Sequence, residues 1–118
     1  MSGEKPFIIK RHDTAPAIIA TVYDKGCLGE WGRLNLSGVS RIDFSMADDC
    51  GVLVVASQSA QTISASSGII QYCWQDGDTS SSGMYTGEFE LFFADGTKMS
   101  LPREGGIAIR IADDINDI

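Results

Sequence analysis

Residues 68–102 read GIIQYCWQDGDTSSSGMYTGEFELFFADGTKMSLP, and this stretch decides the fold. In its first part every second residue is large and apolar, which is the period of a strand with one face on the core. These residues are Ile70, Tyr72 and Trp74. The segment that follows, at 75–83, is rich in Gly, Asp and Ser, which favour tight turns. The first part therefore predicts a strand that ends in a turn.

The second part, residues 84–93, alternates in the same way. Its apolar face carries Tyr85, Gly87, Phe89, Leu91 and Phe93. Glutamates at 88 and 90 mark the opposite face as the solvent side. Ala-Asp-Gly at 94–96 then closes a hairpin, because Gly96 accepts the positive φ that such a turn needs.

Gly83 and Tyr85 mark the start of the second strand. A small residue followed by a tyrosine, after a polar crossing, is typical of a tyrosine corner, in which the phenol bonds back to the backbone of the preceding loop. An ordinary core tyrosine is the alternative. We predict structural roles for Gly83, Tyr85 and Gly96, and for Trp74 as a core residue.

Further strands are predicted at 7–10, 17–23, 41–47, 52–56, within 58–67 and at 107–112. The run at 17–23 is apolar on both sides, so we expect it to be a central strand. In the run at 41–47, Ile42, Phe44 and Met46 are expected inward, and Arg41, Asp43 and Ser45 outward. Seven to eight strands without a convincing helix predict an all-β fold, an immunoglobulin-like antiparallel β-sandwich.

The chain of 118 residues predicts one domain over 1–118. We expect a flexible N-terminal arm at 1–5 and an acidic C-terminal tail at 113–118, since neither segment buries much surface. The loop at 24–38 exceeds the usual length of a connection and is expected to dock on a partner or to hold a short strand. No apolar run approaches the roughly 20 residues of a membrane span.

Charge and cysteine content exclude several functions. A net charge of −7 argues against nucleic-acid binding, which needs clustered Lys and Arg. Three cysteines without CxxC spacing indicate reduced thiols in a protein made in the cytoplasm, and the N-terminus lacks the layout of a signal peptide. We predict no nucleic-acid and no membrane partner.

The sequence contains few candidate catalytic residues. His12 is the single histidine, and its neighbour Asp13 points to the opposite face of an extended strand. The G-x-S-x-G pattern of a nucleophile elbow is absent. The sequence therefore predicts that the protein is not an enzyme and that His12 is a surface or edge residue.

Acidic turns raise a calcium hypothesis. Asp48 and Asp49 form one pair, and Asp76 and Asp78 flank a glycine, so carboxylates could meet at one end of a sandwich. The spacing of an EF-hand is missing, and Asp in a turn commonly bonds its own backbone. We predict no metal and no cofactor.

The order of these features resembles the N-terminal domain of phage baseplate upper proteins. The landmarks run from Asp13-Thr14-Ala15-Pro16 through 42–46, 68–74, 77–79, 83–85, 88–90 and 94–97 to Pro102. No single landmark is specific, but the ordered set covers Ile8 to Ile111. The resemblance implies the small β-sandwich of a tail or baseplate structural protein.

A virion structural role is therefore the leading functional hypothesis. We expect a tail or baseplate adaptor, or a decoration subunit, that is located in the virion, assembled in the host cytoplasm, and docks onto other virion proteins as a symmetric homo-oligomer. The expected partner contacts are Phe7, Trp31, Leu34, Ile115 and Ile118. The alternative is a carbohydrate-binding module that attaches to a host surface, with Trp31 stacking on a sugar.

Overall fold

The computed structural model describes residues 6–25, 31–102, 105–113 and 115. This part of the chain holds eleven strands and no helix. The strands are β1 (Phe7–Lys10), β2 (Ile18–Thr21), β3 (Tyr23–Lys25), β4 (Trp31–Arg33), β5 (Val39–Asp48), β6 (Leu53–Ser59), β7 (Gln61–Ser64), β8 (Ile69–Tyr72), β9 (Gly83–Phe93), β10 (Lys98–Leu101) and β11 (Ile107–Ala112). Nothing in the described part could cross a membrane as a helix.

Two sheets form the sandwich. The large sheet has the order β1-β11-β9-β5-β6, with β10 also paired to β9, and the small sheet has the order β2-β8-β7. Strands β3 and β4 form a separate two-stranded sheet. All neighbours pair antiparallel except β1 and β11, which are parallel. The prediction of an all-β sandwich is confirmed.

Aromatic side chains fill the space between the sheets. Phe44 of β5 stacks on Tyr72 of β8 with ring centroids 4.5 Å apart. The ring centroids of Phe89 and Trp74 lie 5.0 and 5.8 Å from that of Phe44. Phe44, Tyr72 and Phe89 are fully buried. Offset and edge-on aromatic pairs stabilise a core by roughly 0.5–1.5 kcal/mol each beyond the area that they bury. These contacts join the large sheet to the small one.

The inward faces follow the sequence pattern. Ile70, Tyr72 and Trp74 are buried as predicted, and so are Ile42, Phe44 and Met46. Gly87 interrupts the apolar face of β9 for a steric reason. A Cβ there would lie 2.8 Å from Ile109 Cδ1 and 3.0 Å from Phe44 Cζ, so the ring occupies the space that a side chain would need.

The turn features of the opening stretch are present. The Tyr85 hydroxyl donates to Ser81 O at 2.7 Å, which is the hydrogen bond of a tyrosine corner. Gly83 and Gly96 have φ values of 147° and 93°, and Gly96 lies in the turn between β9 and β10. Trp74 is buried, and its Nε1 donates to Pro16 O at 3.1 Å.

Three predictions about the strands need correction. The predicted run 17–23 divides into β2 and β3 at Val22, and β2 is an edge strand of the small sheet, not a central one. Apolar residues on both sides suggested a central strand, but Ile19 on the second side is 59% exposed. Asp43 was expected outward in solvent and is 7% exposed, with Arg41 Nε 3.3 Å from its carboxylate. The short strands β3, β4 and β10 raise the count from seven or eight to eleven among the described residues.

Candidate interaction surfaces

An apolar groove opens between the two sheets along β2. Phe7, Leu101 and Ile107 of the large sheet face Ile18 and Ala20 of the small sheet across two adjoining hollows of about 450 and 180 Å³. Ile18 is buried, whereas Phe7, Leu101 and Ile107 are half-buried against the core. The small sheet is therefore too narrow to cover this margin of the large one. We call this feature the inter-sheet groove.

The backbone of β2 forms one wall of the groove. Among the described residues β2 has a strand neighbour on one side only, β8. Val22 N donates to Gly68 O at 2.7 Å on the β8 side. Since backbone groups alternate in direction along an antiparallel pair, Ala20 also points its N–H and C=O at β8. Ile19 and Thr21 point theirs at the open edge.

The outer face of the large sheet carries a second apolar surface. Cross-strand partners share a face of the sheet, and the registers Leu53↔Ala47, Ala47↔Thr86 and Thr86↔Ala108 give a row across four strands. The next row contains Ile8, Arg110 and Met84. We define the outer patch as Ile8, Ala47, Leu53, Met84, Thr86 and Ala108. Its three large side chains are at least half exposed.

The other half of this face is charged. Lys98 Nζ lies 3.4 Å from Glu90 Oε2, and the Arg41 guanidinium lies over the ring of Phe92 at 4.1 Å. Asp43 pairs in register with Glu90, so two carboxylates are neighbours there. The large sheet thus has one apolar end and one charged end.

The loop that carries His12 is polar and is bonded to a second loop of the sandwich. His12 is exposed with a φ of 68°, and its Nε2 lies 3.5 Å from Arg11 Nη2. Its backbone N–H donates to Thr79 O at 3.0 Å, and the buried Thr79 Oγ1 donates to Asp13 O at 2.8 Å. These contacts tie the loop at 11–16 to the turn at 75–80. The expectation that His12 is a surface residue is confirmed.

The carboxylate of Asp78 has a structural role in that turn. Its Oδ2 accepts from the Tyr72 hydroxyl at 2.5 Å and from Gln75 N at 2.9 Å. Burial, and then the hydrogen bond and charge of Asp78, raise the pKa of Tyr72 well above its ordinary range. Burial and the charges of Asp48 and Asp49 raise the pKa of Tyr85.

The acidic residues do not converge as the calcium hypothesis required. In the described part of the chain, Asp48, Asp49 and Cys50 are the group of possible ligand atoms that lie within 4.8 Å of one another, and Asp76 and Asp78 are not in it. Asp48 Oδ1 already accepts from Cys50 N and Val52 N, both at 2.9 Å. This is the arrangement of an Asp that stabilises its own turn.

The five predicted partner contacts differ in their exposure and surroundings. Phe7 is half-buried, lines the inter-sheet groove and lies 6.0 Å from the Trp74 ring, whereas Leu34 packs on the core and is only partly accessible. Ile115 is 85% exposed. Trp31 lies in β4, but its side chain is outside the described part, and so are Ile118, Cys27 and the arm at 1–5. Of the predicted tail, Asp113 is described and lies 3.7 Å from Arg11.

Sequence reasoning missed both apolar surfaces. Ile8, Ile19, Leu53 and Met84 were assigned to no contact, although each stands on the solvent side of a strand whose other side is buried. For Ile8, Ile19 and Met84 the available signal was an apolar residue on the face that should be polar, whereas Leu53 alternates in phase with the buried Val55 and is turned outward only by the irregular register between them.

Comparison with known proteins supports the fold. No protein-family model and no curated protein matches the chain. Among solved structures, CopC from Methylosinus trichosporium OB3b matches with a TM-score of 0.52 over 96% of this chain and 89% of that chain, at 13% identity. The immunoglobulin-like β-sandwich is confirmed. At this identity the likeness shows the fold alone.

The functional hypothesis needs correction. The structural match, CopC, points away from a phage structural role, and no comparison supports a phage baseplate domain, so the assignment as a phage virion structural protein is wrong. No comparison supports the carbohydrate-binding alternative either, and the Trp31 side chain on which it depended lies outside the described residues. The resemblance to baseplate domains, the partners and the location stay predictions that no comparison tests.

Proposed function

We propose that the chain is a non-enzymatic interaction module that assembles with copies of itself through the outer patch. The observation that carries this proposal is the row of small side chains at Ala47, Thr86 and Ala108, bordered by the exposed Leu53 in the same row and by Ile8 and Met84 in the next. Small residues let a second sheet approach to about 10 Å, the usual spacing of stacked sheets. The larger side chains at the border would then pack against the approaching sheet.

Charge favours a second copy as the occupant. The chain has a net charge of −7, so most approaches of two copies are repulsive. The outer patch itself holds no acidic residue, and Arg110 stands between Ile8 and Met84. Two copies that meet patch to patch therefore keep most of their acidic surface apart, although Glu88 borders the patch beside Ala47, Leu53 and Thr86.

The size of the face limits the strength of a dimer. The large sheet is five strands wide in its main path, and β5 has 10 residues. With the usual strand spacing and rise, such a face has an area of up to about 800 Å². A standard stable interface buries about 800 Å² on each partner. The outer patch occupies only the apolar end of this face, so an isologous dimer through the patch buries less than that area and is expected to be weak.

The test compares two isoleucines on edge strands. Ile8 of β1 is 53% exposed within the patch, and Ile63 of β7 is 49% exposed on the small sheet. We expect sedimentation equilibrium to show a dimer of the native protein. Ile8→Glu should weaken it at least about 100-fold, because a twofold interface removes both added carboxylates from water, which costs more than an ion pair with the neighbouring Arg110 returns.

Ile63→Glu is the matched control and should dimerise like the native protein. Melting curves of both variants separate loss of assembly from loss of folding. A native protein that stays monomeric at millimolar concentration, or an Ile8→Glu variant that dimerises normally, would refute the proposal.

A further inference from the structure

The inter-sheet groove has the chemistry of a position for one more strand. We infer that it accepts an extended, uncharged segment of a partner protein, which adds to the small sheet beside β2 and places alternate apolar side chains between the sheets. This binding mode is β-strand addition, in which main-chain hydrogen bonds supply affinity and side-chain pockets supply specificity.

Backbone geometry limits the occupant to a polypeptide. Ile19 and Thr21 direct N–H and C=O groups to the open edge of β2, as the pairing of Val22 with Gly68 requires. A row of alternating donors and acceptors at strand spacing is complementary to another extended chain. Among the described residues no strand fills this side of β2.

The lining of the inter-sheet groove determines which side chains the added strand must carry. An added strand would direct every second side chain inward, between Ala20 on one side and Phe7 and Ile107 on the other. The larger hollow measures about 450 Å³, and since a cavity of roughly 150 Å³ holds a benzene molecule, it has room for two or three apolar side chains. The described residues that line both hollows are uncharged, so the inserted side chains should be uncharged too.

Two other occupants fit less well. Residues 1–5 of this chain, Met-Ser-Gly-Glu-Lys, contain a single large apolar side chain and cannot supply an alternating apolar face. A second copy that paired its own β2 would bring the projecting margin of its large sheet, including its Phe7 and Ile107, into the same space. A single strand of another protein meets neither difficulty.

The experiment uses the whole protein and a soluble probe. The probe is a blocked peptide of alternating threonine and valine, and its control is the same peptide with N-methyl groups on alternate amides, which keeps the side chains and removes the hydrogen bonds. Backbone amide exchange and chemical shifts are followed by NMR. We expect the Ile19 and Thr21 amides to exchange fast in the free protein and to become protected by the probe and not by its control.

Two variants locate the site. Ala20→Phe fills the groove and should abolish saturable binding, because Ala20 lines both hollows. Ile19→Pro removes one edge donor and should weaken binding roughly fivefold, the value of about one hydrogen bond, whereas Ile19→Thr keeps the donor and should bind the probe like the native protein.

Each other outcome overturns the inference. The Ile19 and Thr21 amides could be protected from exchange in the free protein and lose this protection when residues 2–5 are deleted. That result assigns the groove to the chain's own N-terminus. Protection that rises with protein concentration assigns it to a second copy. Absence of saturable probe binding, or equal binding by Ala20→Phe, removes the site. Ala108 borders both the groove and the outer patch, so the readout is taken at the Ile19 and Thr21 amides, and Ile8→Glu, which changes no residue that lines the groove, should bind the probe like the native protein.

Discussion

Removal of the Tyr72 hydroxyl tests how the core is joined to its closing turn. In Tyr72→Phe the stacked ring stays in place against Phe44, but Asp78 loses the donor that lies 2.5 Å from its Oδ2. A hydrogen bond to a charged group contributes about 1.5–3 kcal/mol. Asp78 is partly exposed, and water replaces some of the loss, so we expect about 2 kcal/mol of destabilisation. In a chain of 118 residues this corresponds to a melting temperature lower by about 8 °C.

The assay is urea unfolding followed by tryptophan fluorescence and circular dichroism. The slope of the free energy against urea should not change, because the variant alters no buried area. Tyr23→Phe, at a half-exposed tyrosine, is the control and should change the free energy by less than about 0.5 kcal/mol. Asp78→Asn completes a double-mutant cycle. A loss below about 0.5 kcal/mol in Tyr72→Phe, or additive effects in the cycle, would show that the hydrogen bond does not hold the turn to the core.

Two further predictions concern a glycine and alkaline pH. A Cβ at Gly68 would lie 2.7 Å from Leu34 O and 2.8 Å from Val22 O, and Gly68 has a φ of +69°. Gly68→Ala should therefore lower the free energy of unfolding in urea by at least about 2 kcal/mol, whereas Gly38→Ala, with open space around it, should lower it by less than about 1 kcal/mol. Equal losses in the two variants would contradict the steric reason. Because the pKa of Tyr72 is raised in the folded protein, the unfolded chain loses that proton first; stability should be complete below about pH 10 and fall as pH rises toward the folded pKa. Tyr72→Phe should flatten the fall measured by unfolding at pH 9 to 11, and an unchanged slope would exclude this cause.

The surfaces that carry the two proposals were visible in the sequence only as exceptions. Ile8, Ile19 and Met84 occupy positions where the period of the strand predicts a polar residue. An isolated exposed apolar residue is common in soluble proteins and needs no explanation. Only strand order shows that Ile8 and Met84 belong to adjacent rows with Leu53, and that Ile19 stands on a free edge. Strand order depends on pairings between residues far apart in sequence, which no local pattern specifies.

The buried side of each main strand was determined by the sequence alone. The alternation in 69–74 and 84–93, and in 41–47 apart from Asp43, sets which side chains avoid water, because successive side chains of a strand point to opposite faces in any sheet. The turns were determined locally as well, through Gly96 and through the reach of the Tyr85 hydroxyl to a carbonyl four residues earlier. What only the tertiary structure decided is which strands are neighbours and where the sheets stop. A strand that is apolar on both sides can lie in the middle of a sheet or at an edge that borders an open groove. For β2 the sequence does not decide between these positions, because they differ only in whether another strand pairs with its second edge.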